Sequence, residues 1–409
     1  MRHSRLFFFL FFLTINACAQ SAEPALSPAQ SSIRRAETAI AKSPADPHVY
    51  TELAMALARR ARETSDVSFY AKADDALNKS LALKSDNYEA LKARAWLLLG
   101  RHEFSKALDL AQKLQKQNPD DVTIYGYLTD ANVELGDYEA AEKAAQWMLD
   151  LRPGNVPGLT RAAYLRELFG DPEGAIELMK MAYDATAPTE REDRAWILTQ
   201  IGHMELIQGN VANAEAILSQ ALTVFPDYHY ALGNLAKVRV AQQRDVEAVE
   251  LLRVRYRNAP HAESLFELAQ ALEAAGQRQE AAASFRQFEQ KSLAESQLAD
   301  NSNHELVSYY ADYAHRPADA LRVAQLELAR RQDVNTLDAY AWALYANKRY
   351  AEAARVMQRV LAVGVREVRF YTHAVRIAAA AGKSHDAKLY ASKLHALRSR
   401  PAAPYEVAQ

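Results

Sequence analysis

Ten alanines recur along this sequence at nearly constant spacing, and this recurrence constrains the fold more than any other feature. They are Ala73, Ala107, Ala141, Ala175, Ala214, Ala248, Ala281, Ala320, Ala353 and Ala387. Seven of the nine intervals between them are 33 or 34 residues long, a regularity that chance does not explain even in an alanine-rich chain. A period of this length is typical of solenoids, in which each repeat buries its apolar face only against its neighbours.

The stretch at 122–155 shows the clearest single repeat. Its landmarks run through a first helix, a turn, a second helix and a stop: Tyr125, Leu128, Asn132, Gly136, Asp137, Tyr138, Ala141, Ala145, Met148 and Pro153. Spacings of three and four place the members of each helix on one face, and proline ends the second helix because it cannot continue the hydrogen-bond ladder. Prolines repeat the 34-residue interval from Pro119 to Pro153 and from Pro226 to Pro260.

This pattern resembles the tetratricopeptide repeat, and the resemblance extends over 33–398. The second-best matching unit carries the landmarks Gly202, Gly209, Ala214, Ala221 and Pro226. The resemblance implies an all-α fold, a right-handed superhelical solenoid of about ten helix-turn-helix repeats. It also implies a role as an interaction scaffold. Together with the closing segment at 336–345, the arrangement is similar to exported bacterial proteins of this family.

The sequence departs from the repeat at several places. Two intervals of 39 residues indicate insertions near 186–194 and 290–303, and a further insertion at 59–68 is expected to lengthen the turn inside the first repeat. Gln243 and Lys348 stand where other repeats have the glycine of the turn. The first helix of the repeat at 303–329 does not follow the pattern.

The N-terminus has the three parts of a secretory signal peptide. Arg2 and Arg5 precede an apolar run at 6–13, and small residues follow at 17–19. The run is too short to span a bilayer, so we predict a signal peptide at 1–19 and export to the periplasm or the cell envelope. The small, polar, proline-containing stretch at 20–32 predicts a flexible linker, and 399–409 a disordered tail. The sequence predicts no transmembrane helix in the mature chain.

The single cysteine, Cys18, lies at the cleavage region and leaves two interpretations open. In the first, a signal peptidase cuts after Ala19 and the mature protein has no cysteine. In the second, the run Ile15-Asn16-Ala17-Cys18 resembles a lipobox, and Cys18 becomes a lipidated N-terminus that anchors the protein. Neither interpretation allows a disulfide within the chain, so stability must come from packing.

The charge balance excludes some classes of partner. Lysine and arginine number 49, and aspartate and glutamate number 51, which gives a net charge of −2. A nucleic-acid-binding protein needs a basic face that releases phosphate counterions, so we expect no nucleic-acid partner. The same balance gives no reason to expect a polybasic patch for a membrane surface.

The resemblance also implies which residues face a ligand, because the first helices of such repeats line a concave groove. Three repeat positions supply the candidate groove residues: Trp96, Asp130, Tyr164, Trp196, His203, Tyr230, Lys237, Gln270, Trp342, Tyr345 and Arg376. Aromatic side chains among isolated charges suit an extended peptide or a helix laid along the groove. The alternative is that some of these aromatics only pack between adjacent first helices.

Patterns of catalytic or metal-binding residues are missing from the sequence. It has no glycine-rich phosphate loop and no zinc motif, and His373, His385 and His395 belong to different helices. We therefore predict a non-catalytic scaffold or assembly factor of the cell envelope that binds a protein or peptide and needs no cofactor. The alternative function is a binder of glycans or cell-wall ligands that uses the groove aromatics as stacking platforms.

Overall fold

The computed structural model describes residues 26–64, 66, 68–298 and 301–398. The predicted signal peptide with Cys18 and the predicted tail at 399–409 lie outside the described residues. In the part that is described, no helix combines the length and the apolar character needed to cross a membrane.

The regular structure of the described residues is helical, with 21 α-helices, one π-helical segment and no β-strand. The helices are α1 (Pro28–Lys42), α2 (Pro47–Thr64), α3 (Ser68–Leu83), α4 (Tyr88–Gly100), α5 (Phe104–Gln117), α6 (Val122–Leu135), α7 (Tyr138–Leu151), α8 (Val156–Leu168), α9 (Pro172–Ala185), α10 (Arg191–Ile207), α11 (Val211–Val224), α12 (His229–Ala241), α13 (Asp245–Asn258), α14 (Ala262–Ala274), α15 (Arg278–Glu295), α16 (Asn303–Ser308), α17 (Pro317–Leu328), α18 (Val334–Ala346), α19 (Tyr350–Val363), α20 (Val368–Ala380) and α21 (Ser384–Arg398). The π-helical segment, Tyr309–Tyr313, continues α16.

Consecutive helices pack as hairpins from α2–α3 to α20–α21, and α16 with its π-helical continuation is the first helix of the eighth hairpin. The prediction of an all-α solenoid of about ten repeats is therefore confirmed. The recurring alanine of the second helix is at most 3% exposed in nine of the ten hairpins, because its short side chain lets two helices approach closely. The tenth, Ala387, lies on the last described helix, α21, and is partly exposed.

The turns without glycine keep the geometry of the other turns. Gln243 and Lys348 have φ angles of 62° and 61°, in the left-handed region that Gly136 occupies with a φ of 79°. Residues other than glycine reach this region at a steric cost, which packing of the two helices must offset.

Helix α1 corrects the boundary of the predicted flexible linker at 20–32. The Ser27 hydroxyl accepts a hydrogen bond from the Gln30 amide, and the Gln30 side chain accepts one from the Ser27 amide. This reciprocal capping box, with Pro28 in the first turn, starts a helix inside the stretch that the composition assigned to the linker.

The three insertions lengthen helices by about one turn each. Helices α2, α10 and α15 have 18, 17 and 18 residues, whereas α6, α7 and α8 have 14, 14 and 13. The prediction that the insertion at 59–68 lengthens the turn is wrong, since α2 continues through Thr64 and takes up most of it. An apolar and charged stretch with no proline or glycine can extend a helix as readily as a loop.

The added turns of α2 and α10 bring distant parts of the superhelix into contact. Arg62, in the added turn of α2, pairs with Asp193 of α10 at 2.7 Å, across 131 residues of sequence. A second closure joins α6 and α7 to the start of α18, where the Val334 amide donates to the Tyr138 hydroxyl at 3.0 Å. A third joins Arg366 to Glu173 at 3.5 Å. The concave side is therefore partly closed rather than open along its length.

Candidate functional site

The eleven candidate groove residues do not line one continuous groove. The structure separates them into side chains packed between repeats, side chains held in polar contacts, and side chains that face open space. Position within the repeat therefore did not predict which of these residues are accessible.

Trp342 is the clearest packed residue, with 5% of its surface exposed. Its indole lies between the rings of His373 and Tyr345, at centroid distances of 4.0 and 4.7 Å. The indole N–H donates to the Asp312 carboxylate at 2.9 Å. The alternative of packing between first helices thus applies to Trp342, whereas Tyr345 packs against Trp342 and against Tyr350 of its own hairpin.

Trp196 and Gln270 are also engaged within the stack. Trp196 is partly buried between the apolar clusters around Met179 and Leu198. The Gln270 amide donates to the Tyr313 hydroxyl at 3.1 Å.

Three further candidates form polar contacts with the neighbouring repeat. The Asp130 carboxylate accepts from Arg161 at 2.8 Å, His203 lies 3.3 Å from Glu167, and Lys237 lies 3.5 Å from Glu267. Such contacts set the register between first helices and use the charges that would otherwise contact a ligand.

The remaining candidates keep accessible surface. Tyr164 is 39% exposed, and Arg376 is exposed on α20 with its guanidinium 5.8 Å from the Trp342 ring. Trp96 and Tyr230 each line a cavity, and these two cavities are separate sites.

The wider cavity is the N-terminal groove, a depression of about 960 Å³ bounded by α1, α2, α4 and α10. Trp96 lies on its α4 wall, and Met55 on α2 is 37% exposed beside it. Exposed charges of both signs, Arg35 and Glu52, lie on its rim. Apolar anchors inside a charged rim are the usual anatomy of a peptide-binding surface.

The second cavity, the central cavity, has a volume of about 250 Å³ and lies where the insertions meet. Its walls come from eight places in the chain: Arg62, Tyr70, His102, Tyr230, Arg255, Glu263, Glu305 and Arg331. The wall is mostly charged or aromatic, so the superhelix encloses a polar interior rather than a purely apolar core.

Electrostatics in this interior perturb several groups. The neighbouring Arg255 guanidinium, 3.1 Å from Glu263, overcomes the effect of burial and lowers the pKa of that carboxyl to about 2. Burial, together with the charge of Glu263, raises the pKa of Glu305 to about 7. Burial and the adjacent Arg331 lower the pKa of His304 to about 3, so its imidazole is neutral.

The same behaviour recurs at the closure between α6 and α18. Burial and the nearby Asp333 carboxylate raise the pKa of Glu134 to about 7, although Arg331 lies 3.4 Å away. The closure therefore holds a second buried carboxyl that binds its proton more tightly than usual.

Sequence reasoning missed the residues that close the superhelix, above all Arg59, Arg62, Glu192 and Asp193. All four lie in the insertions that interrupt the 34-residue period. The interruptions of the period were the signal in the sequence that could have indicated the closure, since an extra helical turn on a concave face must contact another part of the protein.

Stacked antiparallel hairpins of this length define a helical-repeat scaffold. Sequence models of the tetratricopeptide repeat match residues 92–156, 128–189 and 202–263, and a second such model matches 263–292. Residues 92–189 and 202–292 therefore consist of tetratricopeptide repeats, a kind of repeat that typically serves in protein interaction. No curated protein matches the sequence.

Several solved structures share the architecture. Human IFIT1, in a dimer with m7Gppp-AAAA, superposes with a TM-score of 0.51 at 10% identity, over 92% of this chain and 96% of that one. PilW, a widely conserved type IV pilus biogenesis factor, superposes with a TM-score of 0.43 at 15% identity, over 50% of this chain and 93% of that one. PilF of Pseudomonas aeruginosa superposes with a TM-score of 0.40 at 16% identity, over 50% of this chain and 92% of that one. The likeness to IFIT1 shows the fold alone.

Proposed function

We propose that this protein is a non-catalytic scaffold or assembly factor of the bacterial cell envelope, which holds a peptide or a segment of a protein in its N-terminal groove. The observation that carries the proposal is the groove itself. The groove has a volume of about 960 Å³, and its lining includes an exposed Met55 and a partly buried Trp96.

The ligand site is restricted to this end of the concave side. Further along the chain, several candidate residues are engaged within the protein, since Trp342 is stacked and Asp130 is paired with Arg161. The contact between Arg62 and Asp193 also closes the path from the N-terminal groove along the inner wall. A short segment of a few residues therefore suits the groove better than a long helix running through the whole superhelix.

The chemistry of the groove favours a segment with an apolar anchor. Methionine adapts its shape to a bound side chain, and tryptophan contributes a large buried area on binding. Arg35 and Glu52 on the rim are exposed charges of opposite sign, which suits a ligand that carries charges on both sides of its apolar residue.

The test compares two methionines in the same protein. Met55→Lys places a charge inside the groove, and Met181→Lys, at a position 51% exposed on α9, is the matched control. A photo-reactive residue at Glu52 reports contact with the partner in envelope preparations. We expect Met55→Lys to abolish the crosslinked product and Met181→Lys to leave it unchanged. Equal products from both variants would place the binding surface elsewhere.

The envelope location rests on the predicted signal peptide at 1–19. Fractionation of cells that express the full chain, with and without Cys18→Ala, tests it together with the two interpretations of Cys18. Release of the variant from the membrane fraction indicates a lipid anchor. Equal release of both proteins into the periplasm indicates simple cleavage, and retention in the cytoplasm refutes export.

The second candidate function, glycan binding, is favoured by the exposed Tyr164 ring together with Trp96. Soluble cell-wall fragments are the probe, and Trp96→Ala with Tyr164→Ala should remove their binding. We infer no role in nucleic-acid binding, because a net charge of −2 offers phosphates little attraction. Anisotropy of labelled single-stranded RNA tests that inference.

A further inference from the structure

The central cavity has a ligand chemistry of its own, which does not depend on the proposed scaffold function. It lies away from the N-terminal groove, although Arg62 contributes to both walls. Its volume of about 250 Å³ is many times what a single water molecule requires. The charges on its wall decide which kind of molecule it can hold.

The arginines of the wall are each neutralised by carboxylates of the protein. Arg62 pairs with Glu192 and with Asp193, and Arg255 pairs with Glu267 and Glu263. A guanidinium that already faces two carboxylates has little positive charge left for an anionic ligand.

Arg331 follows the same rule. It lies 2.7 Å from Glu327 and 3.4 Å from Glu134, and Asp333 is 3.9 Å away. The three arginines on the wall of the cavity are therefore engaged by carboxylates of the protein, which disfavours an anionic ligand.

Glu305 is the exception among the charged residues of the wall. Among the described residues, no side chain forms an ion pair or a hydrogen bond with its carboxyl group. Its charged surroundings include the carboxylates of Glu263 and Glu267, which repel a second negative charge, and the guanidinium of Arg331, which Glu327 and Glu134 already pair. A half-buried carboxylate without an ion-pair partner of its own is costly, so a positively charged ligand would relieve the repulsion.

Two aromatic rings belong to the same wall as these carboxylates. The ring of Tyr70 lies against α4, where a Cβ added at Gly100 would be 2.9 Å from it, and the ring of Tyr230 borders the same space. Electron-rich ring faces attract organic cations, and tyrosine serves this role well. Carboxylates and aromatic faces together are the usual environment of a bound ammonium group.

We propose that the central cavity binds a small organic cation, an amine or an ammonium ion, with Glu305 as its ion-pair partner and the rings of Tyr70 and Tyr230 as its walls. An organic cation fits better than a divalent metal. Such a metal requires several oxygen ligands, whereas Glu263 is already paired with Arg255.

The test uses three probes of equal length that differ in charge: n-butylammonium, n-butanol and butyrate. Tetramethylammonium is added as a second cation. Isothermal titration at pH 8 on the purified protein should detect binding of both cations, and no binding of n-butanol or butyrate. Glu305→Gln keeps the shape of the side chain and removes its charge, and it should weaken binding of both cations at least tenfold. Glu352→Gln removes an exposed carboxylate paired with Arg349 and should leave the affinity unchanged.

Several results would overturn the proposal. One is that neither cation binds to the folded protein. Another is that butyrate binds in preference to the cations. A third is that Glu305→Gln, folded by circular dichroism, binds the cations as the parent protein does. Equal loss in Glu305→Gln and Glu352→Gln would show a general charge effect and would also refute a site at Glu305.

Discussion

Replacement of Arg62 by methionine should destabilise the protein far more than loss of a surface charge. Arg62 forms ion pairs with Glu192 and Asp193, and Glu192 is fully buried. In Arg62→Met the Glu192 carboxylate keeps one donor, the Tyr228 hydroxyl at 2.7 Å. Asp193 still contacts Arg59 at 3.2 Å and is 38% exposed, so loss of its contact with Arg62 costs little stability.

The magnitude follows from this geometry. Removing one partner of a buried ion pair costs about 3–5 kcal/mol, because the other charge stays buried without compensation. The Arg62 side chain is 36% accessible, toward solvent in the two cavities that it lines, so the lower end, about 3 kcal/mol, is expected. Arg349→Met is the matched control, since Arg349 and Glu352 are 40% and 41% exposed and an ion pair this open to solvent contributes little to stability.

Urea unfolding measures the free energy, and hydrogen exchange of the first turn of α10 reports whether the closure opens. Adding Glu192→Gln to Arg62→Met removes the stranded charge and should recover much of the loss. If Arg62→Met costs no more than Arg349→Met, or if α10 stays as protected as before, the contact between α2 and α10 does not hold the superhelix closed.

Further predictions concern other contacts. A Cβ at Gly136 would lie 2.8 Å from a backbone oxygen of the loop before α18, whereas a Cβ at Gly276 meets nothing within 4 Å, and both residues have positive φ. Thermal unfolding should therefore show about 1 kcal/mol lost in Gly276→Ala, and at least about 1 kcal/mol more in Gly136→Ala. Trp342→Ala should cost about 3–5 kcal/mol, because it empties a buried stack; a loss of binding without a loss of stability would instead mark a ligand contact. The folded pKa of Glu305, about 7, lies above the usual value of 4.5, so the folded state holds this proton more tightly and loses stability as pH rises from about 4.5 to 7. The difference in free energy of unfolding between Glu305→Gln and the parent protein should therefore rise from about pH 4.5 to 7 and stay constant at higher pH. Histidines with a lowered pKa contribute equally in both proteins and cancel in this difference.

The repeat architecture was predictable because each hairpin carries its own periodic signal. An alanine at a crossing point, or a turn residue before the second helix, is set by contacts within about 34 residues. Closure of the superhelix was not predictable in the same way. Whether Arg62 meets Asp193 depends on small rotations that accumulate over several hairpins, and no single residue pattern encodes their sum.

The candidate site shows the same division. The ninth repeat position placed Trp342 on a first helix, as expected for a groove residue. Its burial results from the π-helical segment before α17, which positions Asp312 under the indole, and from His373 on the next repeat. An irregular first helix at 303–313 left no period to align, so the sequence could not indicate this packing.

Closure also limits how a protein of this kind can evolve. An open solenoid tolerates gain or loss of a unit, because each repeat contacts only its neighbours. Here an internal duplication or deletion between α2 and α10 would shift the added turns by one hairpin and separate Arg62 from its carboxylates. Helix α21 has no buried residue, so gain or loss of a unit at the α21 end of the described stack would disturb little packing. We expect related chains to vary in length at that end and to keep the number of units between the two added turns.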